Sequence, residues 1–291
     1  MKPRLKSCVV SRFRVERLLL GCAADSAVLL ALPAAAKSAV ETLAALDFDP
    51  AQPASLAALC GALSALAPAQ PIADAARLPL VVTLDDSLAR SFVVTPPRGA
   101  RGLRELRASA AARFAALYGE SAEPWLLAAD WQAAAPFVSC ALPRELYQAL
   151  EGLARTQGWR LDSATPALVR VWNRVCPAIP ADGWLGIGFA RTLTLVHHQH
   201  GELAGLRTLR LPAAPDLAEL ETLLEQERLR NAVATGMQAG QSLLWTGGAK
   251  WLPAAATVAG ITSRTLPLPC PKGSPGERPV AEQLALAGGP R

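Results

Sequence analysis

Between Gln241 and Trp251 the chain reads QSLLWTGGAKW, and this stretch restricts the rest more than any other. An apolar run, Leu243 to Trp245, stops at Thr246 and breaks into Gly247 and Gly248, with Pro253 and alanine-rich sequence beyond. Branched and aromatic residues favour a strand, and glycine at its end supplies positive φ or lets another group come close. The stretch therefore reads as a strand, a Gly-Gly turn and the start of a helix. Two consequences stay open on these letters. Either the turn connects strand to helix with no ligand, or it offers the amides of a helix N-terminus to a nucleotide phosphate.

With 291 residues, 51% of them apolar, the chain can form two domains or one large two-lobed body around a sizeable core. Its net charge of +5 is mildly basic, with much of the excess in Lys2, Arg4, Lys6, Arg12, Arg14 and Arg17 against Glu16. Aromatics make up only 5%, so the dense basic and aromatic stripes of nucleic-acid binders are missing. An acidic membrane surface or an acidic protein tail suits this balance better. The six cysteines, Cys8, Cys22, Cys60, Cys140, Cys176 and Cys270, form no CxxC pair. They make neither a zinc pattern nor a disulfide framework, and read as reduced, buried thiols of a cytosolic protein. The apolar stretch Leu18 to Ala36 is interrupted by Asp25 and Pro33, so it makes neither a signal peptide nor a spanning helix.

In chain order, residues 7–33 read as extended, with charges alternating through SRFRVER and a strand over Val28 to Leu32. Leu56 to Leu66 has helical spacing. Leu80 to Leu84 and Ala89 to Thr95 read as strands joined by the turn formers Asp85, Asp86 and Ser87, closed by Pro96 and Pro97. Helices follow over Leu103 to Tyr118, Pro143 to Gly158 and Pro166 to Val175, with strands at Trp125 to Trp131 and Phe137 to Leu142 between them. Arg101, Arg104 and Arg107 form a basic stripe that reads as a solvated helix face or a partner surface. Trp184 to Val196 then reads as strand-like, interrupted by Gly186 and Gly188, and turns at His200 and Gly201 into the strand Glu202 to Leu211. Leu217 to Arg230 is a helix with acids leading and Arg228 and Arg230 trailing. After the Gly-Gly strand, Ile261 to Leu268 is the last strand, and residues 269–291 read as a disordered tail.

This order resembles the α/β, two-lobed actin-like (ribonuclease H-like) fold of the sugar kinase, heat-shock and actin superfamily, with a small α+β subdomain inserted in the first lobe. More closely, it is similar to the PilM-like proteins of type IV pilus assembly and the cytoplasmic part of the type II secretion platform protein. PLVVTLDDSLARSFVVTPP followed by RELRASAAARFAALYGE resembles their inserted unit. RTLTLVHHQHGELAGLRTLRLP resembles the second lobe's opening hairpin, and LLWTGGAKWLPAAA the adenosine-side Gly-Gly loop. The resemblance implies a first lobe over 1–78, completed by about 166–183, an inserted subdomain over 79–165 and a second lobe over 184–268.

Active members of that superfamily open each lobe with an acidic residue and a glycine turn that hold a metal against the γ-phosphate. Here VVSRFRVERL places Ser11 and Arg12 at the first turn, and WLGIGFARTL places Gly186 near the second aspartate position while Gly188 keeps the turn glycine. Without those acids magnesium loses its ligands. The resemblance thus implies no catalytic residues, no metal and no cofactor, with Gly247 and Gly248 as a vestigial ATP loop. It further implies a non-enzymatic cytoplasmic scaffold at the inner face of the inner membrane, held there only by the cytosolic tail of an inner-membrane assembly protein. A divergent ATP-binding ATPase or kinase-like enzyme is the alternative, and a binding domain unrelated to pili a third.

Other groupings have plainer readings. His197, His198 and His200 read as a solvated hairpin tip, since strand neighbours point to opposite faces and cannot share one ion. Asp85 and Asp86 read as Asx-turn residues rather than paired catalytic acids. Trp125, Trp131, Trp172 and Trp184 read as packing between subdomains.

Overall fold

The computed structural model describes residues 15–34, 40–48, 55–68, 72, 76–235, 241–254, 256–268 and 278–289. Ser11 and Arg12 lie outside them. The chain divides into two compact units, one of Met1–Leu84, Glu145–Thr165 and Pro269–Arg291, the other of Asp85–Arg144 and Pro166–Leu268.

The first unit opens on an antiparallel pair, β1 (Val15–Cys22) and β2 (Ser26–Pro33), with Leu19 opposite Leu30. The turn of this pair lies at Ala23 to Asp25 and contains an acidic residue. Asp25 accepts from the Ser26 hydroxyl at 3.1 Å, and its carbonyl takes the Phe48 amide at 2.7 Å. Leu18 to Ala31 is buried almost without break, so it lacks the alternation that marks a half-wet hairpin; the alternation lies upstream. A third strand, β3 (Glu41–Asp47), pairs with β2. It buries only Leu43 fully, and its alanines give no strand signal. Then come α1 (Leu56–Ser64), capped by the Ser55 hydroxyl, and β4 (Pro79–Leu84), parallel to β1.

The second unit begins with a short 3-10 turn over Asp86–Leu88, then β5 (Arg90–Val94), α2 (Leu103–Tyr118), β6 (Trp125–Ala129) and β7 (Phe137–Pro143). These strands form an antiparallel sheet in the order β5-β7-β6. Leu106, Ala110 and Phe114, four residues apart, turn one face of α2 onto it against Phe92 and Phe137. The arginines of the basic stripe are all exposed, but they do not share one helix face: Arg101 precedes the helix, Arg104 lies in its first turn, and Arg107, next to Leu106, rests over the Trp131 ring at 5.8 Å.

Next come α3 (Arg144–Thr156) and β8 (Arg160–Pro166). The five-stranded sheet of the first unit runs β3-β2-β1-β4-β8, so β4 and β8, read from sequence as parts of the inserted subdomain, belong to it. The remainder of the second unit comprises α4 (Ala167–Val175), β9 (Gly183–Phe189), β10 (Thr192–Gln199), β11 (Glu202–Arg210), α5 (Leu217–Thr235), β12 (Ser242–Gly247), β13 (Thr257–Val258) and β14 (Ile261–Pro267). Its six-stranded sheet runs β11-β10-β9-β12-β14-β13. The stretch Trp184 to Val196 is thus two strands, with Gly186 and Gly188 inside the first and not interrupting it. Its turn at Ala190 and Arg191 uses Ala190 at φ 44, a conformation expected of glycine, so residue type concealed it. A reciprocal capping box starts α5: Asp216 takes the Glu219 amide at 2.8 Å, and Glu219 takes the Asp216 amide at 3.0 Å.

The C-terminal segment is not wholly a tail. Residues Val280–Ala287 form α6, with Ala281, Ala285 and Leu286 buried among Leu19, Val28, Leu30 and Val81 of the first sheet. The flanking prolines and glycines suggested disorder, while the short AEQLALA run supplies the apolar face. Its seat depends on Gly21, where a Cβ would stand 1.8 Å from the Ala281 carbonyl oxygen and 2.5 Å from the Ala285 nitrogen. Only a residue without a side chain lets this helix approach β1 so closely. Among the thiols, Cys22 and Cys60 are buried, whereas Cys176 is exposed, contrary to the expectation that all are buried. No helix among the described residues is long and apolar enough to cross a membrane.

Gly21→Ala forces α6 off its seat and should cost about 1–3 kcal/mol of stability, the usual penalty for overpacking. Urea unfolding followed by circular dichroism reads this directly, and an unchanged midpoint would refute the close approach.

Candidate functional site

The Gly-Gly loop follows β12, as the sequence implied, but no helix starts there: residues 248–254 are bends and turns. A helix-terminus phosphate site is therefore not formed. β12 runs parallel to β9 in a register that sets Gly247 beside Gly188. Gly247 has φ 127, and a Cβ on it would lie 2.1 Å from the Gly188 carbonyl oxygen. That carbonyl accepts the Gly248 amide at 2.9 Å and the Ala249 amide at 3.0 Å. The two donors that would face a phosphate thus point into the chain's own strand.

Trp251 closes the loop from above. Its indole N–H donates to the Ala190 carbonyl at 2.5 Å, and its ring edge stands 2.8 Å from where a Gly188 Cβ would be. Below, Trp245 is fully buried, and its ring lies 2.2 Å from where a Gly186 Cβ would be. Gly186 holds the place that the resemblance assigns to an aspartate, and here an indole fills the space a carboxylate would need. At the Gly-Gly loop and at position 186 the residues present therefore do not fit a nucleotide and its metal. Opening the loop to an anion would break two hydrogen bonds and displace Trp251, together about 3–5 kcal/mol. Among the described residues, no three His, Cys, Asp or Glu side chains converge as a metal group.

His197 and His198 are not a solvated tip. They are 3% and 5% exposed, and only His200 sits at the exposed turn. β10 lies inside its sheet, and a register shift in its pairing with β11 falls between the two histidines. As expected for neighbours on a strand, they meet different partners: His197 stacks on Trp184 with ring centres 4.5 Å apart, and His198 packs on Trp172 at 4.8 Å. Gln241 joins the first pair. Its carbonyl oxygen accepts from the Trp184 indole at 3.0 Å, which leaves its amide to donate to His197 Nε2 at 3.2 Å. Burial lowers both imidazoles, His198 to about 4 with His197 adding to the effect, so both are neutral near pH 7. The tryptophans pack inside individual cores and on these rings, Trp125 and Trp131 with the three-stranded sheet and Trp184 with the six-stranded one.

The Asp85-Asp86 pair does more than the sequence disclosed. Asp85 forms the expected Asx turn by accepting the Ser87 amide at 2.9 Å, but it also takes the Thr192 hydroxyl at 2.8 Å. Asp86 accepts the Leu168 amide at 2.9 Å, in the first turn of α4, and the Thr194 hydroxyl at 2.7 Å. Both carboxyls are buried. They pin the entry turn of the second unit to α4 and β10, a structural clamp with no opening to a substrate. Spacing alone could not reveal partners more than eighty residues away. Burial pushes Asp86 up to about 7, helped by Asp85 and opposed by the Leu168 and Thr194 hydrogen bonds.

These two buried groups give opposite pH slopes. Asp86, raised on folding, stabilises fully in acid and loses that contribution as pH climbs from about 4 to 7, on the order of 4 kcal/mol at most. His198, lowered on folding, stabilises above about 6.5 and loses its contribution as pH falls toward 4. Asp86→Asn mimics the protonated acid. Its stability relative to the parent should rise between pH 4 and 7 and level off above, while His198→Phe should gain relative to the parent in acid. Urea midpoints across pH 4–8 check both, and parallel profiles would remove the assignment.

No protein-family model matches the chain, and no curated protein matches it by sequence. Solved structures do resemble it. One is the cytoplasmic domain of EpsL, an inner membrane component of the type II secretion system of Vibrio cholerae, at 14% identity and a TM-score of 0.54 over 93% of each chain. Another is a chain of the PilM-PilN type IV pilus biogenesis complex, at 16% identity and a TM-score of 0.58, covering 94% of this chain and 99% of that one. A third, from Bacteroides thetaiotaomicron, has an actin-like ATPase fold and unknown function, at 8% identity and a TM-score of 0.51 over 81% and 84%. Identities this low speak for architecture alone. With the inserted three-stranded sheet, the β9-β10-β11 meander and the Gly-Gly strand in this order, the chain has the actin-like fold of the EpsL cytoplasmic domain and the PilM-PilN chain.

Proposed function

We propose that this protein is a non-enzymatic scaffold of a type II secretion or type IV pilus assembly, one that binds the cytosolic tail of an inner-membrane partner. The observation that carries the reading is the Gly188 carbonyl, which takes the Gly248 and Ala249 amides. A loop that hydrogen-bonds to its own strand, under Trp251 and beside a glycine where an acid is expected, has no means to neutralise or orient a γ-phosphate. The fold then serves as a rigid body for partners. The EpsL and PilM-PilN likenesses favour an assembly at the inner membrane, with this chain on the cytoplasmic side and attached through its partner.

Titration with magnesium and a fluorescent ATP analogue should show no saturable binding below about 1 mM, since an opening cost of about 3–5 kcal/mol weakens affinity by about two to four orders of magnitude. Phosphate release should stay at the buffer rate. Micromolar binding with turnover would sink the scaffold reading in favour of a divergent ATPase. In parallel, synthetic cytosolic segments of the single-span membrane proteins encoded beside its gene should include one that binds.

A further inference from the structure

The second unit carries a cavity of about 260 Å³ walled by α2 and β5 on one side and by β11 and α5 on the other. That volume falls below the range of roughly 300–1,000 Å³ typical of sites that enclose a whole small molecule. It suits one or two side chains of a larger partner. Its floor is apolar: Phe92, Trp184 and Leu195 reach it, each at most 2% exposed. Leu117, on the lip, is 45% exposed, one of few large apolar side chains so placed.

The rim is basic. Arg113, Arg207 and Arg230 line it and all three are exposed, against the single carboxylate of Glu227. Glu227 is 5% exposed and holds both Arg207 and Arg230 at 2.8 Å. One carboxylate cannot use the five N–H donors on each of two guanidiniums, so both present donors outward. Sharing one buried anchor also fixes their geometry, which lowers the entropy lost when they grip something else. Both β5 and β11 are edge strands of their sheets and lie against each other, so the cavity sits on the seam between the two sheets, a narrow setting that an extended segment can follow.

We propose that this groove is the docking site for an extended, acidic segment that places an apolar side chain over Phe92 and its carboxylates on Arg113, Arg207 and Arg230. The inference rests on the tail-binding reading and names the chemistry of that tail. Three guanidiniums against one carboxylate select acidic over basic segments, and an apolar floor selects an anchor residue over a purely acidic run.

Panning a random dodecapeptide phage library on the full chain tests this. The expected consensus combines Asp or Glu with one Leu, Phe or Met. A synthetic consensus peptide should bind about tenfold more weakly to Arg113→Glu and to Arg207→Glu, lose affinity with added salt, and bind more weakly to Leu117→Asp, a change on the exposed lip. Urea midpoints confirm that each variant is folded. A basic or uncharged consensus, no consensus, or an acidic peptide indifferent to all three substitutions overturns the groove. The natural membrane-protein segments, run against the same variants, separate the two claims. A segment that binds parent and variants equally removes the groove and leaves the tail reading. Failure of every segment, with the acidic peptide still bound at the groove, removes the tail reading instead.

Discussion

Close contact between β9 and β12 sets the character of the second unit. The two strands run parallel with Gly186 under the Trp245 ring and Gly188 beside Gly247. At both places a Cβ would collide, so glycine is a requirement of packing. The same contact disposes of the loop's hydrogen-bonding capacity, because the Gly188 carbonyl collects the Gly248 and Ala249 amides. A nucleotide-binding architecture needs those amides directed at a ligand and an acid nearby. Here the two amides meet the chain's own carbonyl, and the Trp245 ring fills the space beside position 186.

Elsewhere the structure uses glycine and polar anchors in the same way, to tie together segments far apart in sequence. Gly21 admits α6 against β1 in the first unit. Asp85 and Asp86 hold the start of the second unit against Thr192, Thr194 and α4. Burying two adjacent carboxyls is costly unless their hydrogen bonds are met or one is neutral. The raised pKa of Asp86 indicates that protonation supplies part of the answer. The neutral histidines on β10 reflect the same burial acting on the opposite charge type.

Several elements were legible because their signals are local. Leu103–Tyr118 is helical over the span expected, with Gly102 before it and Gly119 in the left-handed conformation after it. The β4 and β5 strands around Asp85-Asp86-Ser87 follow from branched residues and turn formers. The Gly-Gly loop was located, yet its state was misjudged. Helical continuation past Gly248 depends on tertiary space, and Trp251 occupies it by bonding to Ala190 across the sheet. The β1-β2 hairpin carried no such local signal, because residues buried on both faces show no period.

What the amino-acid order determined alone is the strands and helices with local signals, such as Leu103–Tyr118 and the strands around Asp85, the glycines that permit close approach and the want of an acid at position 186. Those properties reside in neighbouring residues and in backbone freedom. Only the tertiary structure decided which carbonyl the loop amides meet, that β4 and β8 complete the first sheet, that residues 280–287 form a seated helix and that a basic rim gathers around an apolar floor. Each of these unites residues tens to hundreds of positions apart, and burial, which sets their energies, exists only once the chain has closed on itself.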